Sequence, residues 1–511
     1  MSELKKVVLD GAGPGECGLL TLKGAEYLKQ ADCVIYDRLL NKKFLEMTPE
    51  GCEKIFVGKE NHNHTMKQDK INELLYEKSK EYNLVVRLKG GDSYVFGRGG
   101  EEALYLLERD VNVEIVSGVT SPIAALSAAG IPITHRGLAK GFQVITAHSR
   151  KDEPADIDYS QLLDDTVTLV FLMGLSHVAE IAKGLINAGR SLDTPAAVIS
   201  NATTNNQKKC VGTLENIAEL VSQADLVSPA IIVVGNVVTL SDKLGLFERR
   251  PLFGKRYFLP KITSFNYSYN NKVSYDKSNR LEEQLTLLGA EVHSVTSGRI
   301  VPKEVDLTFL NQVTSDDYLV FTSANGVRAF FYNLYEIANK DIRQIGSGKI
   351  AAIGAKTASV LAEFGIRADI VSSLQNGKDL AIQVNQNLKE NGQVYWLCAE
   401  NTSEDFGANL NDTIKLNKIS VYKNEKQDLQ LSDEDLELIS SYDGAIFTSA
   451  SNALFGAELL KEKMPDQVFA IGNACKRAIS DRYDNILEAK ISSYESLIEL
   501  IMNYTISTHC I

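Results

Sequence analysis

Residues Leu84 to Glu102, LVVRLKGGDSYVFGRGGEE, restrict the possible folds more than any other stretch of the chain. Leu84-Val85-Val86 reads as a buried strand, and the chain then breaks into a loop holding Gly90, Gly91, Gly97, Gly99 and Gly100 before an acidic helix start at Glu101-Glu102. Glycine lets backbone approach a ligand closely and adopt positive φ. Strand-to-helix loops are where α/β folds hold their ligands. A plain surface turn needs one or two glycines, so five favour a ligand loop. Asp92, Arg87, Lys89 and Arg98 supply its charge.

The length of 511 residues suggests two to four domains. The longest apolar runs fall short of the 18 residues a membrane span needs. The start MSELKKVVLDGAGPG enters a strand without a signal-peptide pattern. The seven cysteines are scattered with no CxxC pair, which predicts reduced thiols, a cytoplasmic protein and no metal. A net charge of −12 argues against a nucleic-acid partner, while local cations can still bind a small anion.

Lys6–Leu9, the loop Gly11-Ala12-Gly13-Pro14-Gly15, an amphipathic stretch ending near Gln30 and Cys33–Tyr36 form a β-α-β pattern. A dinucleotide fold requires G-x-G-x-x-G. Here the glycines run G-x-G-x-G, and Pro14 removes an N–H that a pyrophosphate would need. Asp37 follows the second strand where a ribose acid could stand, but the loop disfavours a nicotinamide oxidoreductase.

Five further features accompany these: Tyr36-Asp37-Arg38-Leu39, Val57-Gly58-Lys59, Gly118-Val119-Thr120-Ser121, Ile131 to Arg136 (IPITHR), and Phe171 to Leu175 (FLMGL). Together with the two glycine loops, in order over roughly residues 5 to 245, they resemble uroporphyrinogen-III C-methyltransferase, of the S-adenosylmethionine-dependent tetrapyrrole methylases. The resemblance implies two α/β lobes with S-adenosylmethionine in the cleft between them. By motif, Pro14, Gly90, Gly91, Asp92, Val95, Thr120, Ser121, Met173 and Ala202 would contact that donor. Asp37 would be the proton acceptor and Lys59 the proton donor. A substrate with eight carboxylates calls for cations at the cleft mouth, where Arg87, Lys89, Arg98 and Arg136 are candidates; His135 lies in a motif that would touch substrate. The chain departs from the family pattern at Ser93, where proline is usual, at Glu60, where a cation is common, and at Ala202, near which a glycine is absent. Asn61-His62-Asn63-His64 has poor spacing for a metal site and reads as a polar loop.

Leu240–Gly254 is charged, contains Pro251 and reads as an inter-domain connection; the expected division is 1–245, a linker at 246–254, and 255–511. The second half carries a near-repeat. Phe321-Thr322-Ser323-Ala324-Asn325 is echoed by Phe447-Thr448-Ser449-Ala450-Ser451, and Ala352-Ile353-Gly354 by Ala470-Ile471-Gly472. Repeated β-α units predict two similar α/β lobes. A strand ending in Thr-Ser before a helix can hold an anion or simply cap the helix. These motifs, with Ile419–Tyr422, resemble uroporphyrinogen-III synthase over about residues 255 to 505. That family implies two lobes on a two-stranded linker with hydroxymethylbilane between them. Tyr422 matches a tyrosine that assists loss of the substrate hydroxyl, and Thr322, Ser323, Asn325, Thr448 and Ser449 would hold acetate and propionate groups. Lys261 stands where an arginine is common.

The resemblances imply a bifunctional enzyme that closes hydroxymethylbilane to uroporphyrinogen III and methylates it at C-2 and C-7 to precorrin-2, for sirohaem or cobalamin. A homodimer through the first domain is expected. The alternative is a methyltransferase with a degenerate, tetrapyrrole-binding C-terminal module.

Overall fold

The computed structural model describes residues 5–38, 40–49, 51–58, 66–147, 156–268, 271–276 and 279–509. Internal contacts divide the chain into Met1–Gly254 and Lys255–Ile511.

The first unit holds two five-stranded sheets. Its strands are β1 (Lys6–Gly11), β2 (Cys33–Tyr36), β3 (Glu53–Phe56), β4 (Leu84–Lys89), β5 (Asn112–Val116), β6 (Gly141–Thr146), β7 (Val167–Leu172), β8 (Pro195–Ser200), β9 (Lys208–Thr213) and β10 (Ala230–Val234). The first sheet, ordered β3-β2-β4-β1-β5, is wholly parallel. A parallel sheet is covered on both faces, so its strands are apolar at consecutive positions rather than alternate ones. Val7, Leu9, Ile35 and Val85 accordingly pack with Leu75 and Leu106 on one face, and Val8, Val34 and Val86 with Leu28 and Phe44 on the other. Parallel pairing also gathers the ends of β1, β2, β4 and β5 on one edge, where both glycine loops begin. The second sheet, ordered β6-β7-β10-β8-β9, is mixed, with only β6 and β7 parallel.

Four helices frame the first unit's loops: α1 (Leu22–Gln30), α2 (Gln68–Glu81), α3 (Gly99–Leu107) and α4 (Ser121–Ala128). Thr21 caps α1 by accepting from the Gly24 N–H at 3.0 Å. Glu101 and Glu102 occupy the first turn of α3, where the helix dipole favours negative charge. The stretch 246–254 is packed onto this unit. Leu252 is fully buried, and Glu248 bonds Gln207 at 2.9 Å and Lys209 at 3.0 Å.

The second unit is built on β11 (Arg256–Ser268), β12 (Asn271–Asp276), β13 (Glu291–Pro302), β14 (Tyr318–Phe321), β15 (Lys349–Ala352), β16 (Ile370–Val371), β17 (Gln393–Ala399), β18 (Lys415–Lys426), β19 (Gly444–Phe447), β20 (Val468–Ala470) and β21 (Ile486–Glu488). Strands β16-β15-β14-β17-β18 form one lobe and β13-β11-β19-β20-β21 the other; β13 and β18 join them by antiparallel pairing from Gly298↔Lys426 to Pro302↔Tyr422. The near-repeat is structural. Ile353 N–H donates to Phe321 O, and Ile471 N–H to Phe447 O, each at 3.0 Å.

Candidate functional site

In the first unit the site grows from three glycines at the carboxyl ends of β1, β4 and the turn after β5. A Cβ at Gly118 would stand 2.5 Å from the Gly11 carbonyl oxygen and closer still to that of Gly91. A Cβ at Gly11 would stand 2.5 Å from the Gly118 nitrogen. Three backbones therefore meet at a distance only glycine permits. Gly13 and Gly91 add a reciprocal pair of bonds, 3.1 Å and 2.8 Å, that ties the two glycine loops together. Gly91 sits at φ +69°, a conformation glycine adopts without strain.

Asp92 strengthens the same junction. One carboxylate oxygen accepts from Tyr94 N–H at 2.8 Å and the other from Gly118 N–H at 3.0 Å. Thr120 and Ser121, at the start of α4, stand next to Gly91: a Cβ there would lie 3.8 Å from the Ser121 nitrogen. Pro14 and Ala202 come from different lobes, yet the neighbouring backbones meet. Glu16 N–H donates to Thr203 Oγ1 at 3.3 Å, and a Cβ on Gly15 would lie 3.9 Å from Ala202 O. Val95 and Met173 are exposed, and Met173 has φ +57° at the end of β7.

This cradle fits S-adenosylmethionine by the donor set it offers. Backbone groups of Gly90, Thr120 and Ser121 are of the kind that bind amino and carboxylate ends, with the α4 terminus favouring an anion and Gly91, tied to Gly13, shaping the wall beside them. Ser93 is fully buried, and its carbonyl accepts from Gly99 N–H at 2.9 Å. A Cβ on Gly97 or Gly99 would meet that carbonyl at 2.7 Å or 2.6 Å, which explains glycine at those two positions; one on Gly100 would meet open space.

The expected cleft-mouth cations divide into two kinds. Arg98, His135 and Arg136 are exposed, and Arg98 forms a two-point pair with Glu101 at 3.0 Å and 2.6 Å. Arg87 and Lys89 are of the second, buried kind. They lie only 3% and 6% exposed. Arg87 Nε is 3.3 Å and Lys89 Nζ 2.9 Å from the same Glu102 oxygen, and Arg87 reaches Asp37 at 3.6 Å. Burial, then the neighbouring Arg87 charge, push the Lys89 ammonium pKa down, opposed by Glu102. Asp37 stays partly exposed at the end of β2. Lys59, Glu60, the Asn61–His64 stretch and His148 lie outside the described residues.

In the second unit both Thr-Ser sequences begin helices. Ser323 caps Ala324–Tyr332 by accepting from Gly326 N–H at 2.9 Å, and Ser449 caps Ala450–Leu460 by accepting from Asn452 N–H at 3.1 Å. Both serines therefore serve as caps. Ser323 Oγ also lies 3.0 Å from the Tyr422 hydroxyl, where β18 passes between the lobes. Burial pushes the Tyr422 pKa up, with the Ser323 bond opposing it. Thr322 accepts from Trp396 Nε1 at 3.0 Å, and Thr448 N–H donates to Asn452. Asn325 lies in the first turn of its helix, half-buried. Lys261 is paired with Glu282 at 3.1 Å, which offsets its charge. Among the described residues no three His, Cys, Asp or Glu are grouped as a metal would need.

Sequence reasoning missed Gly11 and Gly118 as a matched pair, and it treated Glu102 only as a helix start. A buried partner for Arg87 and Lys89 could have been sought among the two acids of the GRGGEE stretch.

A parallel α/β lobe with a glycine cradle, closed by a mixed second lobe and followed by a two-lobed α/β unit, defines a two-unit protein of small-molecule transformation. Residues 6–218 match Tetrapyrrole (Corrin/Porphyrin) Methylases, and residues 279–499 match Uroporphyrinogen-III synthase HemD. A Porphyrin biosynthesis protein HemD of Ruminiclostridium josui is 35% identical over 420 residues, covering 81% of both chains. A Uroporphyrinogen-III C-methyltransferase of Methanocaldococcus jannaschii is 47% identical across 42% of this chain and 88% of its own. An S-adenosyl-L-methionine-dependent uroporphyrinogen III methyltransferase of Methanosarcina barkeri is 46% identical across 43% of this chain and 86% of its own. The chain belongs to the family of fused tetrapyrrole methylases and uroporphyrinogen-III synthases.

Proposed function

We propose that the second unit closes hydroxymethylbilane to uroporphyrinogen III and the first methylates that product at C-2 and C-7 to precorrin-2. The observation that carries the methylase reading is the meeting of Gly11, Gly91 and Gly118 beside the start of α4, in a chain of this family. When bound, S-adenosylmethionine supplies a sulfonium methyl to a pyrrole carbon.

The residues Gly90 to Asp92, Thr120 and Ser121, with Pro14, Val95, Met173 and Ala202, hold that donor and orient it for in-line attack. Asp37 accepts the proton the macrocycle loses, and Lys59 donates one. Arg98, His135 and Arg136 meet substrate carboxylates. In the second unit Thr322, Ser323, Asn325, Thr448 and Ser449 hold acetate and propionate groups, while the Tyr422 O–H assists departure of the substrate hydroxyl as water. The intact Ser323–Tyr422 bond and both capped helices favour an active synthase over a degenerate binding module.

Incubating the full chain with hydroxymethylbilane and labelled S-adenosylmethionine should yield a dimethylated product. If none appears even when uroporphyrinogen III is supplied, the methylase reading is wrong. Tyr422→Phe should slow closure by roughly a hundredfold while methylation of supplied uroporphyrinogen III continues. Unchanged closure would remove Tyr422 from the mechanism.

We also place the protein in a cytoplasm: the six described cysteines form no disulfide, in keeping with a reducing compartment. No helix among the described residues is long and apolar enough to cross a membrane. Pairing of two copies through the first unit is supported by Leu104 and Leu107 of α3, 62% and 55% exposed. Sedimentation of the full chain as a monomer would dismiss it.

A further inference from the structure

We propose that the β11–β12 hairpin is a clasp: it fixes the angle between the two lobes of the second unit and so positions Ser323 and Tyr422 for ring closure. The role in closure rests on the synthase reading; the clasp itself does not.

Strand β11 changes character along its length. Tyr257 to Pro260 are buried in succession, as in a parallel strand covered on both faces. Phe258 packs there with Ala445 and Phe447 of β19. The register against β13 then slips between Lys261 and Ile262, leaving Ser297 as an extra residue on β13, and a bulge of this kind bends the strands. Beyond it burial alternates: Thr263, Phe265 and Tyr267 are buried, while Ser264 and Asn266 are exposed. The buried face enters the other lobe, where Phe265 and Tyr267 join the core of Leu319, Phe321, Phe330 and Phe364. Strand β11 is therefore a third crossing between the lobes, beside β13 and β18.

The far end of the strand is anchored by rings and by polar bonds. The Tyr267 ring stacks on Phe364 with 6.1 Å between centroids and meets Tyr332 edge-on at 5.5 Å. Its hydroxyl donates to Glu336 Oε1 at 2.6 Å. Asn266 Oδ1 accepts from Arg328 Nε at 2.9 Å, and Arg328 continues to Glu363 at 3.3 Å. Arg328 and Tyr332 belong to the helix that Ser323 caps, so the hairpin grips the helix whose cap meets the Tyr422 hydroxyl. The chain then turns back. Strand β12 pairs antiparallel with β11 from Ser264↔Asp276 to Ser268↔Asn271. The helix Arg280–Leu287 that follows lies against β13, and Arg280 stands 3.4 Å from Glu495 of the helix Tyr494–His509, which packs on β20 and β21.

A two-stranded ribbon twists readily, and lobes joined by one can rotate through dihedral changes at a few residues. A third strand with its end buried in the opposite core resists that rotation, because turning the lobes would drag Phe265 and Tyr267 out of their packing. The cleft is then preset, and substrate binding does not have to order it.

The test is the dipolar distance between spin labels carried on unnatural side chains at exposed Arg367 and Glu462, one on each lobe of the full chain. Without substrate the wild-type protein should give one narrow distribution, and Tyr267→Ala one roughly twice as broad. Tyr267→Phe keeps the ring and loses only the Glu336 bond, so it should restore most of the narrow form. In Tyr267→Ala the KM for hydroxymethylbilane should rise roughly tenfold with kcat nearly unchanged. A merely structural loss would lower kcat through the folded fraction and leave KM alone. If Tyr267→Ala does not fold, Asn266→Ala combined with Tyr267→Phe keeps both rings, removes both polar anchors and should give a smaller broadening. Distributions as narrow in these variants as in wild type overturn the clasp. Broadened distances with an unchanged KM overturn its role in closure. If the distances behave as expected and the wild-type chain closes no hydroxymethylbilane, the synthase reading fails and the clasp stands.

Discussion

Replacing Gly118 by alanine should abolish donor binding and leave no measurable methylation. The added methyl would stand 2.5 Å from Gly11 O and still nearer Gly91 O, and neither backbone can rotate away as a side chain would. Overpacking of this kind typically costs ~1–3 kcal/mol, and more where backbone must move. Relief requires the loop carrying Gly90 to Asp92 to withdraw, which also breaks the 3.0 Å bond from Gly118 N–H to Asp92. Titration with S-adenosylhomocysteine by calorimetry is the measurement. Closure of hydroxymethylbilane should continue and serves as the folding control. Donor affinity equal to wild type would show that the three-glycine junction does not shape the cradle.

The second large effect concerns stability. Asp10, the last residue before Gly11, is completely buried against α1, and neither of its oxygens has a hydrogen-bond partner among the described residues. A Cβ on Gly24 would lie 2.6 Å from its Oδ1, so α1 is pressed onto the carboxyl group. Burial raises its pKa to about 7 from an ordinary 3.8. The sign follows from linkage. A folded pKa above the unfolded one means the folded state holds the proton more tightly, so the stabilising contribution is full below about pH 4 and is lost as pH rises to about 7. The gap between 3.8 and about 7 corresponds to about 4 kcal/mol. Asp10→Val should therefore stabilise the protein far more at pH 8 than at pH 4, by about that difference. Denaturant unfolding at the two pH values measures it; an equal effect at both would mean the carboxyl is not held neutral. Asp10→Asn should gain less, because it leaves a buried amide without partners.

Much of the site was legible because glycine at a close backbone approach has no substitute. The runs at Gly11–Gly15, Gly90–Gly91 and Gly97–Gly100 marked the loops, and the β-α-β order put them at one sheet edge. The Thr-Ser repeats of the second half were legible as helix starts for a similar reason, since a side-chain oxygen must cap the first free N–H groups. The burial of Arg87 and Lys89 against Glu102 was not legible, because a charge in a strand looks the same in sequence whether it faces solvent or a buried acid. Strand alternation could not settle it: in a parallel sheet both faces are covered.

The amino-acid order by itself therefore determined the two α/β units, their glycine loops, their capped helices and the family they belong to, since these depend on local backbone geometry and on motif spacing. Only the tertiary structure decided which charges meet. Glu102 lies 15 residues from Arg87, and Asp37 lies 50 from it, yet one buried guanidinium reaches both. Distances between charges depend on how strands and helices pack, and electrostatic energy depends on those distances and on burial.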